Sequence, residues 1–237
     1  MMNKFHDIWK PRIFMSLSEK ILGLLMIISM ILVMSSLYLG IYATETDFQQ
    51  GENFRILYIH VSGAWISLGF YGFLALFSLI YLINQHIFFY LIAKTYAVIG
   101  INFSLITLMT GSLWGRPTWG SFWVWDSRLT SVFILFFLYL GYLILDKTHE
   151  IRKKSMNNGS MLAILGFINL PIIKYSVHWW NTLHQSASVT QNYITMDLSI
   201  YIPLLLCFLG VLGYSMSLFL LEMRKQMILR KIETYYL

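Results

Sequence analysis

Five stretches of the chain run without Asp, Glu, Lys or Arg for a length that meets or approaches a bilayer crossing: 21–44, 56–83, 95–115, 129–145 and 198–221. The hydrocarbon core needs about 20 largely apolar residues per crossing. A weaker sixth stretch, 161–173, is bounded by Ser160 and Lys174; taken as a span it covers 157–173, and taken alone it also fits a re-entrant piece. Lipid offers no hydrogen-bond partner to the backbone, so each crossing is expected to be helical. The second stretch is long, which places its N-terminal end, with His60, at the membrane interface. The first apolar run is too long for a cleavable signal peptide and lacks a small-residue cleavage site.

Charge decides between five spans and six. With six, both ends of the chain share a side with 84–94 and 146–160, and that side carries 13 of the 17 Lys and Arg residues. The other side keeps Arg55, Arg116, Arg128 and Lys174. Lys and Arg collect on the cytoplasmic side, so the ends are expected there. Five spans would export the basic C-terminal tail. The expected fold is all-α: a polytopic membrane protein, 1–237, of six transmembrane helices with an extracytoplasmic tryptophan-rich loop at 114–130. Gly63, Gly69 and Gly72 in the second span offer close helix contact.

Composition agrees with this pattern and removes other classes. The 237 residues are 57% apolar and 12% charged, with a mean hydropathy of +0.64. Soluble domains are about 25% charged, so a soluble enzyme, a disordered chain and a disulfide scaffold are all excluded. The net charge of +6 is spread between apolar runs rather than gathered in a nucleic-acid patch. The one cysteine, Cys207, sits in an apolar run and reads as a buried thiol. No Walker A loop, HExxH, CxxC pair, paired carboxylates or nucleophile elbow is present, so no enzyme activity is expected.

Three segments face the outer compartment: 45–55, 114–128 and 174–197. The middle one holds Trp114, Trp119, Trp123 and Trp125, half of the chain's eight tryptophans within twelve residues. Trp65, Trp179 and Trp180 lie on the same side, and Trp9 alone on the other. An interfacial aromatic belt populates both faces of a bilayer, which this distribution does not. Pro117 suits a first helical position; Trp119, Phe122, Trp123 and Asp126 then share one face of a short interfacial helix. Asp126 reads equally as the N-cap of the fourth span or as a ligand contact, and Arg128 as its ion-pair partner. Of the six histidines, His6, His86 and His149 fall among polar residues on the inner side, where they read as solvated. His60, His178 and His184 fall on the outer side. His60, at the start of an apolar span, needs a partner. Imidazoles for iron, indole faces for a macrocycle and Arg116, Arg128 and Lys174 for carboxylates together suit haem. Quinones and aromatic lipids also favour tryptophan.

The segment from Trp114 through Asp126 to Thr130 resembles the tryptophan-rich WWD signature of haem-handling proteins. The span count, the length, the stretch Lys174 to Ser186 containing His178 and His184, and the run from His60 to Trp65 resemble the CcmC family of the multi-subunit cytochrome c maturation system. That family's first histidine motif usually carries a proline where this chain has Ser62. The resemblance covers essentially the whole chain.

It implies a definite job. His60 and His184 would be axial ligands of a b-type, non-covalently held haem at the outer face of a bacterial plasma or mitochondrial inner membrane, with His178 in reserve. Trp114, Trp119, Trp123, Trp125, Asp126 and Arg128 would complete the haem site. The tryptophan loop would present the porphyrin to a CcmE-like haem chaperone, alongside CcmA-like and CcmB-like ABC transporter subunits and a CcmD-like single-span protein. Two other readings remain at this point: a bis-histidine electron-transfer subunit, and a transporter that moves haem through its bundle.

Overall fold

The computed structural model describes residues 11–147, 152–184, 188 and 196–236, which are helical with no β-strand among them. The helices are α1 (Pro11–Tyr38), α2 (Leu57–Asn84), α3 (Ile87–Trp119), α4 (Ser127–Leu145), α5 (Arg152–Gly166), α6 (Asn169–Trp179) and α7 (Leu198–Tyr236). A widened π turn, Leu39–Ala43, continues α1, and a 3-10 turn, Glu52–Ile56, leads into α2. Six stretches are long and apolar enough to cross a membrane: Ile13–Ala43, Glu52–Asn84, Ile87–Trp119, Ser127–Leu145, Arg152–Trp179 and Leu198–Arg230. The expected six spans are all present. His6, Trp9 and His149 lie outside the described residues.

The spans reach further than the charge-free runs. The helix α3 starts at Ile87, so only Gln85 and His86 separate it from α2, where a longer inner segment over 84–94 was expected. Gln85 takes the left-handed conformation (φ 51°) and its N–H closes onto the Tyr81 carbonyl at 2.7 Å. His86 is exposed, yet its Nδ1 accepts the Phe88 N–H at 3.3 Å, so it caps α3 rather than serving only as a solvated side chain. Lys94 thus falls inside a helix, where its ammonium meets the Asp146 carboxylate at 2.8 Å across the α3–α4 contact. Likewise α1 runs through Glu19 and Lys20, and Arg224 of α7 reaches the Met15 carbonyl at 2.7 Å and the Ser18 hydroxyl at 2.9 Å.

The fifth span is two helices, broken at Phe167 and Ile168. Pro171 explains the break: it has no N–H for the Phe167 carbonyl, and its ring crowds that carbonyl. In α7 the carbonyl orphaned by Pro203 is that of Ser199, and the Thr44 hydroxyl donates to it at 3.0 Å. Each freed carbonyl in a lipid-facing bundle needs such a donor.

No short interfacial helix starts at Pro117. That residue lies in the last turn of α3, which Gly120 ends in the left-handed conformation (φ 76°), its N–H on the Arg116 carbonyl at 3.1 Å. Residues 120–126 are non-helical, so Trp119, Phe122, Trp123 and Asp126 share no helix face.

The helix α2 is the centre of the bundle, packed on α3, α5 and α7; α4 packs on α3, α5 and α6, and α1 lies outside against α7. The core between α2, α3 and α4 is aromatic: Phe70, Tyr71, Tyr96, Phe103 and Tyr139 meet mostly edge to face. The close helix contacts do not fall at the glycines expected. A Cβ on Gly69 would meet nothing within 4 Å, on Gly72 only Leu170 at 3.9 Å, and on Gly63 the Thr107 hydroxyl at an ordinary 3.4 Å. The tight sites include Gly40 against Tyr58, Gly100 against Tyr139, Gly166 against Tyr71, and Gly210 and Gly213 against α1. At Gly210 a Cβ would lie 2.9 Å from the Val33 nitrogen and 3.0 Å from the Ser29 carbonyl, both backbone atoms that cannot swing aside.

Gly210→Ala is therefore expected to destabilise the protein by about 1–3 kcal/mol, the cost of overpacking. Gly69→Ala should be neutral or stabilising, by up to about 1 kcal/mol from helix propensity. Unfolding of the two variants in detergent, side by side, measures the difference.

Candidate functional site

The connecting segments at one end of the bundle are pinned by side chains that satisfy helix ends. Arg55 donates to the carbonyl of Gly40, to that of Thr44 at 3.1 Å and to Glu52, which closes the first segment over the end of α1. Gln50 from the same segment accepts the Trp114 indole N–H at 2.7 Å, joining it to α3. Asp126 caps α4 as its position suggested: Oδ1 accepts the Leu129 N–H at 2.8 Å. Its other oxygen accepts the Leu183 N–H at 3.3 Å, which brings in the third segment. All three outer segments converge.

Between them lies a cavity of about 590 Å³, within the roughly 300–1,000 Å³ typical of small-molecule sites. His60 and His184 both line it, from segments more than a hundred residues apart in sequence. Its lining also includes Trp65, Trp114, Trp123, aliphatic side chains and the polar Asp47, Gln50 and Asp197, and its floor reaches Ser67 on α2, Leu135 on α4 and Ile173 on α6. It is a recess in the end of the bundle rather than a flat surface platform. The depth is set by helix length. Thr110, which contacts His60, is nine residues, or roughly 13 Å at 1.5 Å per residue, from the end of α3.

The two imidazoles differ on the protein side: His60 has a nitrogen within hydrogen-bond length of a side chain, whereas His184 Nδ1 is buried with no hydrogen-bond partner among the described residues. His60, in the first turn of α2, places Nδ1 3.0 Å from the Thr110 hydroxyl of α3, and its ring lies edge-on to Trp114 at 5.6 Å. His184 places Nδ1 3.8 Å from Asp126 Oδ2, within ion-pair range but beyond hydrogen-bond length. Trp119 covers the His184 ring at 5.0 Å.

The residues predicted for the site do not all meet in it. Trp114 and Trp123 line the cavity, and so does Trp65, which was not among the residues expected there. Trp119 acts on His184 instead. Trp125 is 73% exposed and, with Asp126, lines a shallower neighbouring groove shared with Trp180 and Leu183. Of the cations, Arg128 alone faces the cavity. The expected Asp126–Arg128 ion pair does not form, because Asp126 is committed to Leu129 and the Leu183–His184 segment. Arg116 turns back to the Gly120 carbonyl and the Phe122 ring, and Lys174 lies over Tyr175. His178 is exposed on α6 and does not line the cavity. Cys207 is a buried free thiol, as expected.

Thr110, Gly111 and Gln50 are contacts that sequence reasoning missed. A threonine and a glycine inside an apolar run, and a glutamine in a polar loop, carry no spacing signal that separates them from helix packing. The donor set suits an iron porphyrin. Two imidazoles line a common space, indoles flank it, and a guanidinium with no ion pair to a described residue lines it too.

Comparison with known proteins converges on one family. The family model of CcmC, "Heme exporter protein C", matches residues 4–237. A ccmC-like mitochondrial protein of cytochrome c biosynthesis from Marchantia polymorpha is 44% identical over 91% of this chain and 92% of its own. Heme exporter protein C of Bradyrhizobium diazoefficiens is 40% identical over 96% of the chain and 87% of its own length. The Haemophilus influenzae protein of the same name is 37% identical over 94% and 91%.

Burial raises the Asp126 carboxyl, but the nearby His184 ring and the Leu129 and Leu183 N–H groups outweigh it and leave it below the ordinary 3.8. A depressed folded-state value means stability that is present above the unfolded pKa and lost as pH falls through the folded one. Acid titration of detergent-solubilised protein should show this contribution persisting to below about pH 3.8. Asp126→Asn keeps the cap and should remove that pH dependence; Asp126→Ala should cost about 1 kcal/mol more through the lost cap.

Proposed function

The chain belongs to the Heme exporter protein C (CcmC) family, and on that premise we propose that it holds haem in the recess between His60 and His184 and presents it for transfer. At the coarser level its role is haem handling in cytochrome c maturation, as a multi-pass membrane subunit and not an enzyme. One observation carries the finer reading. Imidazoles from two distant segments line a single cavity, walled by indoles, that also receives Arg128.

Each lining group has a task in this reading. The two Nε2 atoms are the iron-side ligands of a b-type haem, held without covalent attachment. Trp114 and Trp123 offer flat apolar surface to the macrocycle, which favours offset or edge contacts with indole rings. Arg128 answers a propionate, since a guanidinium matches a carboxylate in a paired geometry. Trp119 and Asp126 act through His184 rather than on haem. Ligands on the first turn of one helix and on a connecting loop suit a cargo that arrives and leaves. Electron-transfer subunits bury haem by mid-span ligands.

The side that loads follows from charge. With 13 of 17 Lys and Arg at the opposite end, the recess faces the periplasm or intermembrane space and both termini face the cytoplasm or matrix. There it serves a CcmE-like haem chaperone that captures haem covalently, within an assembly of CcmA-like, CcmB-like and CcmD-like subunits. The membrane is the bacterial inner membrane or its mitochondrial counterpart.

Absorption spectra of the detergent-purified chain, oxidised and reduced, test this directly. Wild type is expected to show a bis-imidazole haem, and His60→Ala or His184→Ala to abolish that signature; an unchanged Soret band in both variants overturns the assignment. Arg128→Leu should keep the spectrum and weaken haem retention about 10–100-fold, the worth of one charge-assisted hydrogen bond. Trp114→Ala and Trp123→Ala should lower retention more than Trp125→Ala, whose ring lies outside the recess.

A further inference from the structure

The His60 imidazole is held against α3 by two consecutive residues, Thr110 and Gly111. The Thr110 Oγ1 lies 2.7 Å from the Ile106 carbonyl oxygen and 3.0 Å from His60 Nδ1. Two oxygens approach to 2.7 Å only with a hydrogen between them. The Ile106 carbonyl has none, so the single hydroxyl hydrogen of Thr110 is spent there, in the back-bonded geometry common for threonine in helices. The 3.0 Å contact to His60 then needs a hydrogen from the ring. It sits on Nδ1.

In a neutral imidazole a proton on Nδ1 leaves Nε2 as the bare, coordinating nitrogen. Gly111 supplies room for this orientation. A Cβ there would lie 3.0 Å from His60 Cε1, 3.6 Å from Nδ1 and 4.0 Å from Nε2. We infer that Thr110 is a positioning residue for the haem-iron ligand His60: its hydroxyl fixes the Nδ1–H tautomer and, with Gly111, aims Nε2 into the cavity. This rests on the haem-holding reading above and deepens it.

The consequence is chemical as well as geometric. An Nδ1–H that has an acceptor makes Nε2 a stronger donor, and loss of such a partner typically weakens a metal site 10–100-fold. The partner is a neutral hydroxyl within a helix pair, whereas His184 faces a carboxylate across 3.8 Å in a connecting segment. The two ligands are therefore unequal, and His60 is the one whose orientation is built into helix packing.

The test uses the full-length chain in detergent. In haem-free, 15N-histidine-labelled protein, with the His60 resonances assigned by their loss in His60→Asn, Nδ1 should be protonated and Nε2 bare. A protonated Nε2 beside a bare Nδ1 overturns the inference. Thr110→Val keeps the side-chain shape and removes the hydroxyl. It should weaken the tautomer preference, leaving the Thr107 carbonyl as the remaining acceptor beside the ring, weaken haem binding about 10-fold and move the haem midpoint positive, because a weaker donor favours ferric iron less. Thr110→Ser should restore all three.

Wild-type affinity and midpoint in folded Thr110→Val would refute the positioning role while leaving bis-histidine ligation standing. Gly111→Ala, with the hydroxyl intact, should keep Nδ1–H yet lose affinity. Failure of the broader reading has a different mark: wild type carrying no bis-imidazole haem at all, whatever the NMR shows.

Discussion

Hydrogen-bonding groups at helix ends need partners, and at one end of this bundle the side chains that supply them hold the recess together. Arg55 spends its guanidinium on the carbonyls where α1 ends. Asp126 spends one oxygen on the start of α4 and the other on the segment that carries His184. Gln50 ties the first connection to Trp114. None of these side chains needs to touch a ligand. Together they hold three connecting segments around one space, so two histidines distant in sequence come to line it.

The same constraint explains which charges are left over. Of the four cations on that side of the chain, Arg55 and Arg116 donate to backbone carbonyls and Lys174 lies on an aromatic ring. Arg128 follows Asp126 by two residues, and the aspartate's oxygens are already taken. The guanidinium therefore faces the cavity, whose lining is indole and aliphatic with Asp47 and Asp197 also present. Under the proposed function, Arg128 is the cation in the recess lining that answers a carboxylate edge of the ligand, beside the Asp47 and Asp197 carboxylates that share the lining.

The span count was legible because it depends on long-range statistics: charge-free length and the asymmetry of Lys and Arg. Helix ends were not, since a helix continues through Lys20 or Lys94 once partners such as Asp146 exist in three dimensions. His60, His184 and Arg128 stood out as polar groups beside apolar runs, and the cap at Asp126 was readable from local chemistry. The helix imagined from Pro117 onward failed because α3 carries Pro117 in its last turn, at the cost of one i−4 hydrogen bond, and Gly120 is the stop. Thr110 was invisible for a simpler reason. Its partner is fifty residues away, and only the α2–α3 packing brings the two together.

A haem carrier is limited by release as much as by capture. Each tenfold gain in affinity adds about 1.4 kcal/mol that hand-over has to undo. Under the proposed function, the recess divides this task between unlike ligands. His60 is set on the first turn of a long helix and braced by α3, so it can stay in place while haem comes and goes. His184 follows a loop, under Trp119, with its Nδ1 3.8 Å from Asp126, a residue also bonded to the backbone at Leu183. A force applied to the tryptophan-bearing segment therefore reaches His184 through Asp126 and Trp119, but reaches His60 only through the body of α3.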